Sequence, residues 1–141
     1  PAVLSDPKVA DLLRREELIA RQLDEVRRCT VTAFAVGGCT PESHVVSSGV
    51  ATRGELADYL ARGAVGVLCG RFIDAEGRPV PGPLDGRMMG VELDRLRHPS
   101  TGLLVCPSPD RVTATHAALR GGYATHVVTH LESAEALLAA A

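Results

Sequence analysis

Tryptophan is absent from the 141 residues, and only four are aromatic: Phe34, Tyr59, Phe72 and Tyr123. A platform for single-stranded nucleic acid needs stacking rings beside clustered Lys or Arg. Neither is present, since the 15 basic and 17 acidic residues are interleaved along the chain and leave a formal charge of −2. Direct nucleic-acid binding by this segment is therefore not expected. No apolar run approaches the length of a membrane span, and the residues after Pro1 lack the charged-then-apolar pattern of a secretory leader. The four cysteines, Cys29, Cys39, Cys69 and Cys106, form no Cys-x-x-Cys pair and meet no spaced histidines. They read as small hydrophobes in a reducing compartment, so a cytoplasmic location is expected, with no metal and no cofactor.

What the sequence does contain is an alternation of short β-branched runs with helical patterns, the mark of an α/β domain with a mostly parallel sheet flanked by helices. Asp6-Pro7 is an N-cap followed by proline at the first helical position. Beyond it Leu12, Ile19, Leu23 and Val26 recur on one face of a helix or helix pair. Glu17 with Arg21 and Asp24 with Arg28 stand four apart on the wet side. Val31 to Val36 predicts a strand broken by Gly37-Gly38. Thr52-x-x-Glu55 is a capping box that opens a helix ended by Gly63. Val65 to Ile73 predicts one buried strand, and the turn-rich residues 74–83 a loop or hairpin. Arg87 to Leu96 fits a short strand running into a helix. Thr101 to Cys106 reads as a strand, Ser108-Pro109 as the cap of a helix stopping at Gly121-Gly122, and Tyr123 to Thr129 as a last strand. A second capping box, Thr129-x-x-Glu132, opens the final helix. No repeat or linker divides residues 1–141, which read as one domain.

Ligands of open parallel sheets gather beyond the carboxyl ends of the strands, where helix N-termini point. Three loops qualify: Gly37 to Thr40, Pro107 to Arg111, and Thr129-His130. Arg111 supplies a forked cation suited to a phosphate or carboxylate, while Asp110 beside it opposes an anion. Gly37 and Gly38 allow close backbone approach to a ligand, although paired glycines also simply make turns. His130 at a helix start is unfavourable as an imidazolium. No Gly-x-Gly-x-x-Gly or Walker pattern occurs, and spacing supports no Ser/His/Asp or Cys/His set.

Several segments in order carry a resemblance. Gly70-Arg71-Phe72-Ile73-Asp74-Ala75-Glu76-Gly77-Arg78-Pro79 is similar to an "F-x-D-x-x-G-x-P" turn. Arg87-Met-Met-Gly90-Val91-x-Leu93-x-x-Leu96 is similar to "R-x-I-G-I-x-L-x-x-L". Ala118-Leu119-Arg120-Gly121-Gly122 followed by Val127-Val128-Thr129 is similar to "A-L-R-G-G … L-V-T-D". Together they resemble the sugar-binding effector domain of SorC/DeoR-type bacterial transcriptional regulators. The resemblance implies a ribose-phosphate-isomerase/glucosamine-phosphate-deaminase-like fold, here in part. It also implies a sugar or sugar-phosphate effector, homo-oligomers, and contact with operator DNA through a helix-turn-helix outside this segment. On this reading residues 1–141 are the C-terminal portion of the effector domain, without the helix-turn-helix and the family's first phosphate loop. The effector site it implies comprises Gly37, Gly38, Asp74, Arg111 and His130. Two departures stand out. Pro107-Ser108-Pro109-Asp110-Arg111 replaces "G-G-x-x-K", keeping the cation but losing both glycines, and His130 replaces the aspartate of "V-T-D-E". Two rivals follow: a sugar-phosphate isomerase or deaminase on the shared fold, and an oligomerisation domain that has lost its ligand.

Overall fold

The computed structural model describes residues 3–140. Its first two helices, α1 (Pro7–Arg15) and α2 (Glu17–Arg27), are the expected pair, joined at Glu16. The Asp6 carboxylate accepts the Lys8 N–H at 2.7 Å and starts α1. The apolar face common to both helices is only partly covered: Ile19 and Leu23 are half-buried, but Leu12 is 64 % and Val26 43 % exposed. The ion pairs on α2 form three residues apart, Asp24 with Arg27 and Glu25 with Arg28.

Three strands form the parallel sheet: β1 (Val31–Phe34), β5 (Thr101–Val105) and β6 (His126–Val128), in the order β1-β5-β6. Ala33 stands opposite Leu103, and Leu104 opposite Val127. The side chains of one sheet face, including Phe34, Leu104 and Val127, pack with Ala114, Ala117, Ala118 and Tyr123. The first three of these lie along α5 (Val112–Arg120), the crossover helix between β5 and β6. The chain closes with α6 (Leu131–Ala139), packed on α5.

A second sheet stands where the sequence suggested a break and a single strand. β2 (Val36–Gly38), β3 (Gly66–Leu68) and β4 (Arg71–Ile73) form an antiparallel meander in the order β2-β3-β4. Gly37-Gly38 therefore does not break a strand. The chain leaves the first sheet at Ala35 and the glycines pair with Val67 and Gly66 of β3. Nor is Val65 to Ile73 a single strand. Cys69 and Gly70 have φ of 50° and 79°, the two left-handed residues of a tight hairpin turn. Most of the small sheet is buried, with Val67 and Phe72 on one face and Leu68 and Ile73 on the other. Leu68 and Ile73 point into the core beside α5. Val67 and Phe72 point the other way, where Phe72 stacks on Tyr59 at 3.9 Å between ring centres. Tyr59 belongs to α4 (Arg53–Ala61), whose capping box forms as expected: Thr52 Oγ1 accepts the Glu55 N–H, and the Glu55 carboxylate accepts the Thr52 N–H at 2.8 Å.

Other segments depart from expectation for identifiable reasons. Residues 87–96 make neither strand nor α-helix, only a bridge from Met88 to Val3 and a 3-10 turn at Leu93–Arg95. Distant guanidinium groups take their carbonyls: Arg14 donates to Met88 O at 2.8 Å, and Arg71 to Val91 O at 3.1 Å. The helix after Ser108 begins as a 3-10 turn, Pro109–Arg111, before α5. The second capping box does not form, because Thr129 Oγ1 donates to Cys106 O at 2.6 Å and His130 takes the N-cap position of α6.

The two motifs with most glycine meet each other. Asp74 Oδ1 accepts the N–H groups of Glu76 and Arg78 at 3.0 and 2.8 Å, which folds the turn after β4. Gly77, at φ 72°, then lies against Gly121 at the end of α5. Its carbonyl accepts from Tyr123 Oη at 3.0 Å and Arg97 Nη2 at 2.9 Å. No helix of the described residues is long and apolar enough to cross a membrane.

Candidate functional site

Strands β1 and β5 end on the same side of the parallel sheet, and the chain after each turns away to open a cavity of about 480 Å³. One wall is β2, reached directly from the end of β1. A second is the Pro109–Arg111 turn that follows β5. The remainder comes from the β3–β4 turn and from residues 40–50, including the one-turn helix α3 (His44–Ser47). This is where an open parallel sheet presents its ligand site.

Arg111 is half-buried in this wall, and its Nη1 donates to Val36 O at 3.4 Å. That bond ties the turn after β5 to the small sheet and leaves Nε and Nη2 for other partners. Asp110 also lines the cavity, and its carboxylate accepts a hydrogen bond from Ser108 Oγ. Glu42 and His44 also line the cavity, both exposed. Val36, Val45 and Val67 make the floor apolar. Cys39, next to Gly38, has its thiol pushed up to about 11 by burial, so it is a thiol and not a thiolate at neutral pH.

The fold thus brings Gly37, Gly38 and Arg111 together around one cavity. Asp74 stands outside its lining, with its carboxylate committed to the turn after β4. His130 is exposed at the start of α6 and does not line the cavity either, although α6 packs against the turn that carries Arg111. Glu42, Ser43 and His44 join the site without having been expected there. Four residues of helix carry no periodicity to detect, but Thr40-Pro41-Glu42-Ser43 is a polar turn just beyond a strand, the place where such residues gather.

Residues 1–139 match the family model Sugar-bind, described as "Putative sugar-binding domain". The chain belongs to this family. It is 38% identical over 139 residues to the transcriptional regulator YjhU of Escherichia coli (strain K12), covering 99% of this chain and 42% of that protein. It is 32% identical over 144 residues to the transcriptional regulator LsrR of Klebsiella pneumoniae subsp. pneumoniae, covering 100% of this chain and 45% of that protein. Among solved structures, the "Putative Sugar-Binding Domain of Transcriptional Repressor from Vibrio fischeri" superposes with a TM-score of 0.86 at 25% identity, covering 99% of this chain and 56% of that one. The chain therefore spans less than half the length of these curated relatives, which are named as transcriptional regulators. The sugar-binding family of SorC/DeoR-type regulators is the one the ordered motifs resemble, and the α/β fold with its parallel sheet agrees with it.

Proposed function

We propose that this sugar-binding domain senses an effector for a bacterial transcriptional regulator and catalyses no reaction. A sugar occupies the cavity at the carboxyl ends of β1 and β5, and its occupancy controls operator binding by a helix-turn-helix elsewhere in the polypeptide, in the cytoplasm. One observation carries the reading: Gly37 and Gly38 of β2, Arg111, Asp110 and Glu42 line one cavity large enough for a small ligand. The regulator names of the relatives support a sensory over an enzymatic role. Of the residues considered for the site, Gly37, Gly38 and Arg111 contact the ligand. Asp74 acts by shaping the turn after β4, and His130 acts from the start of α6.

The test is calorimetry with a panel of pentoses, hexoses and polyols on the wild type and Arg111→Ala. A hydrogen bond to a charged group is worth roughly 1.5–3 kcal/mol, so Arg111→Ala should weaken the best ligand by about tenfold or more. Binding that ignores Arg111→Ala would place the sugar elsewhere.

A homo-oligomer is part of the proposal. Parallel sheets are ordinarily covered on both faces. Here the face opposite α5 carries Val31, Val105 and Val128, which are 65 %, 41 % and 54 % exposed. A second copy is the occupant we assign to this face.

A further inference from the structure

We propose that Glu42 sets the sugar specificity of the site: its carboxylate accepts from one hydroxyl of the effector and tells sugars apart by where that hydroxyl points. This rests on the reading of the cavity as the effector site and assigns a role to one residue of its wall.

The first argument is how the chain is held at position 42. The Ser43 N–H donates to Thr40 O at 2.9 Å, which closes a turn over residues 40–43 with Pro41 and Glu42 at its centre. Downstream, the Ser48 N–H donates to His44 O at 2.9 Å and the Ala51 N–H to Val45 O at 3.0 Å. Val45 and Ala51 are buried in one cluster with Val67, Phe72 and Tyr59. Main-chain hydrogen bonds and these buried side chains fix the segment. The Glu42 side chain itself is exposed, lines the cavity, and forms no hydrogen bond or ion pair among the described residues. A residue so placed can change without unfolding its loop.

The second argument is what each lining group is able to read. A guanidinium only donates, so Arg111 meets any oxygen with a lone pair, whether of a hydroxyl, a carboxylate or a phosphate. Asp110 already accepts from Ser108 Oγ. The valine floor gives contact without direction. Ser48 and His44 also line the cavity, and each side chain can both donate and accept. A carboxylate only accepts, so Glu42 requires an O–H aimed at it. An epimer that turns this hydroxyl away leaves the carboxylate short of water and unpaired. That penalty is how a hydrogen-bonding site rejects the wrong analogue.

The test is calorimetry on sets of epimers: ribose, arabinose and xylose; glucose, mannose and galactose; sorbitol, mannitol and galactitol; each free and as its phosphate. The readout is the ratio of Kd between the best ligand and its weakest-binding epimer. Glu42→Gln, whose amide both donates and accepts, should shrink this ratio by roughly threefold to tenfold, the scale of one hydrogen bond to an exposed charged group. Glu42→Asp keeps an acceptor and should keep the order of the epimers. Arg111→Ala should weaken all members of a set about equally and leave the ratio unchanged. Equal urea midpoints for wild type and the Glu42 variants show that the loop is intact. A wild-type ratio near one, or a ratio unchanged in Glu42→Gln while Arg111→Ala still weakens the best ligand, would overturn the assignment and leave the sensory reading standing. No binding by any sugar or phosphate would overturn the sensory reading and this inference with it.

Discussion

Replacing Gly77 by alanine tests whether the turn after β4 is held by contact with α5 or only by its own backbone. Gly77 has φ 72°, and an L-residue there is disfavoured by roughly 1–2 kcal/mol. A methyl group would also press on Ala117 O and come within 2.5 Å of Gly121 Cα and N, backbone atoms that cannot swing aside. Overpacking of this kind adds roughly 1–3 kcal/mol, so Gly77→Ala should destabilise the domain by roughly 2–5 kcal/mol in total. Relief by moving the turn would lengthen the bonds from Tyr123 Oη and Arg97 Nη2 to Gly77 O. Gly63→Ala is the control: its φ is 87°, but no atom lies within 4 Å of the added carbon. Only the backbone cost of roughly 1–2 kcal/mol then applies. Urea unfolding of both variants, followed by far-UV circular dichroism, reads the difference as a shift in midpoint at constant slope. Equal midpoints for the two would refute the claim that close approach to α5 is what requires glycine at position 77.

Two further outcomes are expected. The Glu55 carboxyl is held below its ordinary value of 4.5, first by the Thr52 N–H and with help from the Arg87 guanidinium, against the opposing effect of burial. Its contribution is thus present above the ordinary value and lost as pH falls through the depressed one. Urea midpoints between about pH 6 and about pH 3 should fall less steeply for Glu55→Gln than for wild type, and parallel curves would contradict the assignment. Val105→Asp puts a charge at the end of the middle strand, on the uncovered sheet face. Sedimentation at tens of micromolar, roughly the range for a modest interface, should show self-association of the wild type and a monomer for the variant. A variant that associates as strongly as wild type would move the interface elsewhere.

Pro107-Ser108-Pro109 stands where the resembled family has glycines, and in the fold Ser108 Oγ donates to the Asp110 carboxylate while the Arg111 N–H donates to Ser108 O.

What the sequence determined by itself was local. Asp6-Pro7 and Thr52-x-x-Glu55 set their helix starts because the cap and the N–H it satisfies lie within three residues. Thr101 to Cys106 was legible as a strand from its own β-branched and apolar run, and the ordered glycine motifs pointed to the right family. Tertiary structure decided whatever depended on a distant partner. The apolar run 65–73 is a hairpin because β2, some 30 residues earlier in the chain, offers β3 its ladder. Residues 87–96 lose their strand-and-helix pattern to guanidinium groups from Arg14 and Arg71, and Thr129 leaves its capping box for Cys106 O. The site divides in the same way. Arg111 and the glycines of β2 could be named from loop positions at strand ends. The place of Asp74 in a turn, and of Glu42 and His44 in the cavity wall, is set by packing between segments far apart in sequence, which local periodicity does not encode.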